Sequence, residues 1–165
     1  MIKIVIMYHT IIFENLTFNQ RASLINFIKI NFPNIPYNSF GLESKSIIIV
    51  NYENNKIVGC VCLINNRLLQ EILTKSKISL EKYNFDYGKG LFLYNLSVDE
   101  NYRNKKMGTE LVNQACELAK KLGIEYIHCH AETDVSRNLF LKLGFIENKT
   151  IFDNNKNIYL MSKFI

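Results

Sequence analysis

Apolar and polar positions switch between two periods along this chain, and each switch predicts an element. Ile2 to Tyr8 is apolar and β-branched, which predicts a strand. Asn15 or Thr17 then suits a helix N-cap, and Leu16, Ala22, Leu24, Ile25, Phe27 and Ile28 recur at helical spacing to about Asn31. Pro33 and Pro36 end that helix. Ser46 to Tyr52 and Ile57 to Ile64 read as two strands of a hairpin around the polar turn Glu53-Asn54-Asn55-Lys56. In the stretch Asn65 to Gly90, Leu68, Leu69, Ile72 and Leu73 predict a short helix followed by a loop. Leu91 to Val98 is the next strand, and Asp99 to Lys106 is a polar, basic loop.

Glu110 to Leu122 is an amphipathic helix with Leu111, Val112, Ala115, Leu118, Ala119 and Leu122 on one side, and Gly123 suits the position just past its end. Glu125 to Ala131 predicts a strand, and Val135 to Leu143 a helix stopped by Gly144. Phe145 to Phe152 and Ile158 to Phe164 are the last strands, joined by Asp153-Asn154-Asn155-Lys156. Strands arrive both as hairpins and through helical crossovers. The pattern therefore predicts the α/β class with an α+β mixed sheet: about seven strands flanked by helices, with no internal repeat.

Composition narrows this picture. A chain of 165 residues suits one domain spanning 1–165, and 48% hydrophobic with 21% charged residues is an ordinary globular balance. Two prolines and seven glycines leave little for a linker. The net charge of +5 favours an anionic ligand but is too diffuse to argue for nucleic acid. No apolar stretch is long enough to span a membrane. Met1 to Phe13 is read as a first strand rather than a signal peptide, because Tyr8, His9 and Thr10 interrupt the apolar run and no small-residue cleavage site follows.

Of the four cysteines, Cys60 and Cys62 share a strand face, and Cys116 and Cys129 stand alone. Small buried thiols are the expected role. A C-x-C without a matching second pair argues against a metal, so none is expected. Free thiols fit a reducing, cytoplasmic compartment.

The chemistry is expected where a buried strand meets a basic loop and a long helix: Leu96-Ser97-Val98-Asp99-Glu100-Asn101-Tyr102-Arg103-Asn104-Lys105-Lys106-Met107-Gly108-Thr109. The first turn of a helix carries backbone N–H groups with no intrahelical partner and a partial positive charge, so it suits a phosphate. Gly108 permits close backbone approach, and Arg103, Lys105 and Lys106 add charge. A solvated basic loop before an ordinary helix accounts for the same residues equally well.

This segment resembles the acetyl-CoA motif of the GCN5-related N-acetyltransferases, Arg/Gln-x-x-Gly-x-Gly/Ala. Arg103 and Gly108 match its ends, and Tyr102 and Thr109 sit where that family often has them. Ser136-Arg137-Asn138-Leu139-Phe140-Leu141-Lys142-Leu143-Gly144-Phe145 resembles the family's second hallmark, a helix ending in Leu-Tyr-x-Lys-Leu-Gly-Phe. Motif identity covers Leu91 to Phe145, and the element order fits from end to end. The resemblance implies an acetyl-CoA-dependent N-acetyltransferase that moves an acetyl group to a primary amine within a ternary complex. It implies a cofactor site built from Leu96, Ser97, Val98, Arg103, Asn104, Lys105, Lys106, Met107, Gly108, Thr109, Thr133, Ser136 and Phe140. The pantetheine arm would lie between the strands ending at Val98 and Ala131, with backbone N–H near Val98 on the thioester oxygen.

Two residues depart from the family pattern. Lys106 stands where the family's first glycine is, and the expectation is a loop of ordinary φ angles that uses the ammonium as an extra contact. Phe140 replaces a tyrosine that in many members protonates the departing thiolate, which Phe cannot do. That substitution keeps open a second reading, a catalytically weak or inactive CoA-binding or interaction module of the same fold.

No acidic residue lies between Leu91 and Val98, where some relatives carry a catalytic Glu. The candidates for acid–base work are His130 and Tyr94, with Ser136 as a partner for the CoA sulfur or simply a helix-start serine. His128 is read as a satisfied, buried histidine. Glu132 and Asp134 attract a cationic acceptor or cap the helix, and the loop Phe32 to Phe40 is where the family builds its acceptor site. The partner expected is an amine-bearing acceptor, with the chain itself a monomer or a homodimer.

Overall fold

The computed structural model describes residues 7–33, 45–75, 90–153 and 155–165. Its elements run β1 (Met7–Ile12), α1 (Phe18–Asn31), β2 (Ile47–Glu53), β3 (Lys56–Asn65), α2 (Asn66–Lys75), β4 (Gly90–Val98), α3 (Met107–Lys121), β5 (Tyr126–Ala131), α4 (Asp134–Lys142), β6 (Ile146–Asp153) and β7 (Lys156–Phe164). Single 3₁₀ turns occupy Phe13–Asn15 and Glu100–Tyr102. The strands form one seven-stranded mixed sheet in the order β1-β2-β3-β4-β5-β7-β6. The chain divides into two compact units: Met1–Leu63 with Asn95–Gln114, and Ile64–Tyr94 with Ala115–Ile165. β4 and α3 each contribute residues to both.

In the first unit, α1 begins with a reciprocal cap. Gln20 N–H donates to Thr17 Oγ1 at 3.3 Å, and Thr17 N–H donates to Gln20 Oε1 at 2.9 Å. Within the helix Leu24, Phe27 and Ile28 are buried, and Leu16, expected on the same face, is buried just ahead of it. β2 and β3 form the hairpin expected, with Glu53 facing Lys56 across Asn54 and Asn55. Those two asparagines have φ of 49° and 63°, the pair of positive values that a tight turn needs to match strand twist. The first strand runs past its expected end at Tyr8, to Ile12. β1 pairs His9 with Val50 and Thr10 with Ile49, so the residues read as an interruption are themselves edge-strand residues, while Ile2 to Ile6 lie outside the described residues.

In the second unit, β5 pairs in parallel with β4 over Gly90–Leu93, and antiparallel with β7 over its whole length. β6 pairs with β7, with a register shift between Glu147 and Lys149. α4 is closed by Gly144 at φ 82°, and Gly123 at φ 66° follows α3. Ala115 and Ala119 of α3 are buried, but Leu122, expected on the same side, is 52% exposed because the helix stops at Lys121 and Leu122 belongs to the turn. The helix expected after Asn65 is present as α2, and the loop expected to follow it lies outside the described residues, as do residues 34–44 and Pro36 within them. Among the described residues no helix is long and apolar enough to cross a membrane.

Candidate functional site

The loop into α3 is built entirely within the first unit. Asp99 N–H donates to the Val58 carbonyl at 2.9 Å, and the Asp99 carboxylate accepts from Asn101 N–H at 2.9 Å. This closes the 3₁₀ turn that carries Tyr102. Beyond it Arg103, Asn104, Lys105 and Lys106 are all exposed. The Lys105 ammonium sits 5.3 Å above the Tyr102 ring.

α3 starts at Met107, three residues earlier than the periodicity suggested, so Met107, Gly108 and Thr109 form its first turn. Glu110 N–H donates to the Lys106 carbonyl at 3.0 Å and is the first intrahelical bond. The N–H groups of residues 107–109 therefore have no partner within the helix. Met107 is buried against Gly59 of β3, where an added Cβ would come within 2.9 Å of its sulfur and 3.1 Å of Leu111. The bare backbone at Gly59 is what lets the helix start sit this close.

The conformation of Lys106 corrects the sequence expectation. Its φ is 64°, in the left-handed region, and Asn104 is there too at 60°. The loop thus keeps the backbone shape that a glycine adopts freely and forces a lysine into it, at a cost of about 1–2 kcal/mol. Residue 106 directly precedes the first helical turn, where Met107 is buried.

Upstream, Leu96 and Val98 are half-buried, and Ser97 is 3% exposed with its hydroxyl unpartnered among the described residues. Asn95, one residue before Leu96, has φ 50° and breaks the pleat of β4. Its carbonyl accepts from the Cys60 thiol at 3.7 Å. Cys60 and Cys62 are fully buried, and burial holds the Cys62 thiol well above its ordinary value.

The second unit carries the histidines. His128 is 3% exposed and hydrogen-bonds through Nε2 to Asn66 Oδ1, while Asn66 Nδ2 donates to the Tyr126 hydroxyl at 3.1 Å. Burial, with a smaller contribution from His130, pulls His128 down to about 3. Phe92 lies between the two histidines, 5.1 Å from His128 and 5.0 Å from His130, and Tyr94 stacks on it at 5.9 Å. Burial also pulls His130 down to about 4, against an upward pull from Glu132. His130 is therefore neutral at working pH and of low basicity.

At the start of α4, Thr133 and Ser136 form a reciprocal cap. Ser136 N–H donates to Thr133 Oγ1 at 3.1 Å, Thr133 N–H donates to Ser136 Oγ at 3.2 Å, and Ser136 Oγ–H donates to the Thr133 carbonyl at 2.9 Å. The helix-start account of Ser136 describes this geometry. Glu132 is ion-paired with Lys156, and Asp134 accepts from the Tyr159 hydroxyl at 2.8 Å, so both expected acidic attractors are occupied and neither is the cap. Phe140 is 2% exposed and packs edge-on against Phe145 at 5.0 Å, so its ring serves the core.

Two residues bearing on these sites gave no sequence signal: Asn66 and Asn95. Asparagine is frequent throughout the chain, and nothing in the local pattern marks these among the others. Of the loop Phe32 to Phe40, the residues after Pro33 lie outside the described residues.

A family comparison defines the class. The sequence pattern of the Acetyltransferase (GNAT) family matches residues 18–145, and the chain belongs to that family. It is an acetyltransferase by that membership, and its seven-stranded mixed sheet flanked by helices is the family's acyl-CoA N-acyltransferase fold. Among solved structures, Escherichia coli ElaA superposes with a TM-score of 0.71 at 16% identity, covering 96% of this chain and 99% of that one. An acyl-CoA N-acyltransferase from Pseudomonas aeruginosa gives a TM-score of 0.73 at 10% identity, covering 96% and 99%. The ribosomal-protein-S18-alanine N-acetyltransferase from Escherichia coli gives 0.68 at 14%, covering 96% and 94%. These likenesses concern the fold. No curated protein sequence matches the chain.

Proposed function

We propose that the chain binds acetyl-CoA through Leu96, Ser97, Val98 and residues 103–109, and transfers the acetyl group directly to a primary amine within a ternary complex. The observation that carries this reading is the loop at α3. Exposed basic side chains surround a first helical turn whose N–H groups at 107–109 have no intrahelical partner, and Lys106 accepts a left-handed backbone to present them. A pyrophosphate is the ligand that such a cradle suits. The unpartnered Ser97 hydroxyl at the end of β4 supports a ligand contact there.

The amine would lose its proton as it attacks the thioester carbon, and the carbon–sulfur bond would break to release CoA thiolate. His130 is the proposed acceptor of that proton, with Tyr94 as the other candidate. Because His130 lies near 4, transfer from a protonated amine is uphill, and the acceptor has to arrive neutral or deliver its proton through water. Thr133 and Ser136 remain proposed cofactor contacts, Ser136 through whatever hydroxyl lone pair its cap leaves, whereas the Phe140 ring is spent on the core. Four free thiols, three of them buried, support a reducing, cytoplasmic setting.

Incubation with acetyl-CoA and a panel of amines, peptides and aminoglycosides is expected to release free CoA. Binding of acetyl-CoA with no release for any acceptor would leave the inactive-module reading standing instead. Gly108→Glu places bulk and a like charge at the first turn of α3 and is expected to abolish measurable acetyl-CoA binding. Wild-type affinity in that variant, read by calorimetry, would remove the pyrophosphate from this loop.

A further inference from the structure

The Arg103 guanidinium is committed to two oxygens of its own unit. Its Nε–H donates to the Val98 carbonyl at 3.2 Å, and its Nη2–H donates to Asn31 Oδ1 at 3.3 Å. Asn31 is the last residue of α1, and its Nδ2–H donates to the Phe27 carbonyl at 2.9 Å. That last bond settles the direction of the amide: nitrogen back along the helix, oxygen towards the guanidinium. α1 is held in turn by Leu24 and Ile28, which are 1% and 0% exposed. A line of restraint therefore runs from the buried face of α1 through Asn31 and Arg103 to the carbonyl that ends β4. Arg103 is also the residue from which the left-handed turn at Asn104 and Lys106 departs.

We propose that Arg103 serves cofactor binding as a strut that fixes the shape of the loop, and that Asn31 is the positioning residue that sets the strut. This rests on the reading that the acetyl-CoA pyrophosphate docks at this loop. Positive charge is already supplied there by Lys105 and Lys106, so a third charge is not what the position lacks. A guanidinium offers several donors in a rigid planar fork and can hold two carbonyl oxygens at once, whereas an ammonium is a single point on a flexible stem. A site made of backbone N–H groups binds only when the backbone is in the right shape. Without the strut the loop spends less time in that shape, and affinity falls by the competent fraction lost.

The test measures acetyl-CoA affinity by calorimetry on the full chain and on Asn31→Ala, Arg103→Ala, Arg103→Lys and the Asn31→Ala/Arg103→Ala pair. Asn31→Ala is expected to bind roughly three- to tenfold more weakly, the ordinary net size of one hydrogen bond, since this one is exposed to solvent. Its KM for acetyl-CoA is expected to rise while kcat and the acceptor KM stay at wild-type values, a split that general loosening of α1 would not give. Arg103→Lys is expected to bind as weakly as Arg103→Ala, and the double variant no more weakly than Arg103→Ala alone. Wild-type affinity in Arg103→Lys would show that charge is all that matters, and additive losses would show that Asn31 acts elsewhere. Either result overturns the strut. Wild-type affinity in Asn31→Ala does the same while leaving the cofactor site intact, whereas an unmutated chain that binds no acetyl-CoA removes the reading beneath the proposal as well.

Discussion

At the scale of single residues, Lys106 and the two histidines of β5 carry the sharpest expectations. Lys106 holds a backbone shape that L side chains adopt only at a cost. Lys106→Gly is expected to raise stability by about 0.5–1 kcal/mol, after the entropic cost of glycine in the unfolded chain is set against the relieved strain. Lys106→Val is expected to lower it, since a branched Cβ makes the same φ harder still. Urea midpoints read both.

The histidines set a pH dependence. Unfolded His130 takes up a proton near its ordinary 6.5, and folded His130 only near 4. Between those values the unfolded state binds more protons, so stability is full above 6.5, falls as the pH drops, and stops falling below about 4. His128 adds a loss that continues to about 3. Urea midpoints are expected to decline from pH 7 to pH 4, less steeply in His130→Asn. This scale was the least legible in sequence. Gly108 and Arg103 were marked by their match to the family motif, but a φ angle and a buried partner such as Asn66 belong to tertiary packing, which one residue letter does not encode.

At the scale of elements, periodicity did most of the work. α1, the β2–β3 hairpin, α3 and α4 were readable because one face of each must be apolar at a fixed period. Ends were readable only where a cap or a breaker speaks: Thr17, Gly123 and Gly144 did, whereas α3 began before its first apolar triplet because Met107 is anchored by Gly59 rather than by its own helix. Gly90 shows how tightly elements are fitted in the second unit. A Cβ there would stand 2.4 Å from Asn66 Nδ2 and 2.7 Å from the Tyr126 ring. Gly90→Ala must push Asn66 away and break its bonds to His128 and Tyr126. The expected loss is roughly 2–3 kcal/mol in chemical denaturation, from overpacking and a stranded buried amide together. A Gly90→Ala variant of wild-type stability would mean that Asn66 has a second seat.

At the scale of the whole molecule, the element order was legible in full and the fold class with it, because mixed hairpins and crossovers leave few sheets that close properly. The expected cofactor makes the folded state depend on its concentration. Acetyl-CoA at a hundredfold excess over its Kd is expected to add about 2.7 kcal/mol to the unfolding free energy, seen as a rise in melting temperature. An excess of adenosine, which lacks the pyrophosphate, is expected to add far less.

The register shift in β6 has a consequence for how the protein tolerates its own company. β6 closes one side of the sheet and leaves Ile146 and Phe152 exposed at 55% and 70%, a hazard if another chain could lie alongside it. Asn148 falls in the irregular step, with its amide bonded to Ser162 Oγ at 2.8 Å, so the outer row of backbone groups is out of even spacing and Lys149 follows at once. Deleting Asn148 would restore an even comb of donors and acceptors on that side. Concentrated solutions of the deletion variant are expected to scatter light and form fibrillar aggregates, where the parent chain stays clear.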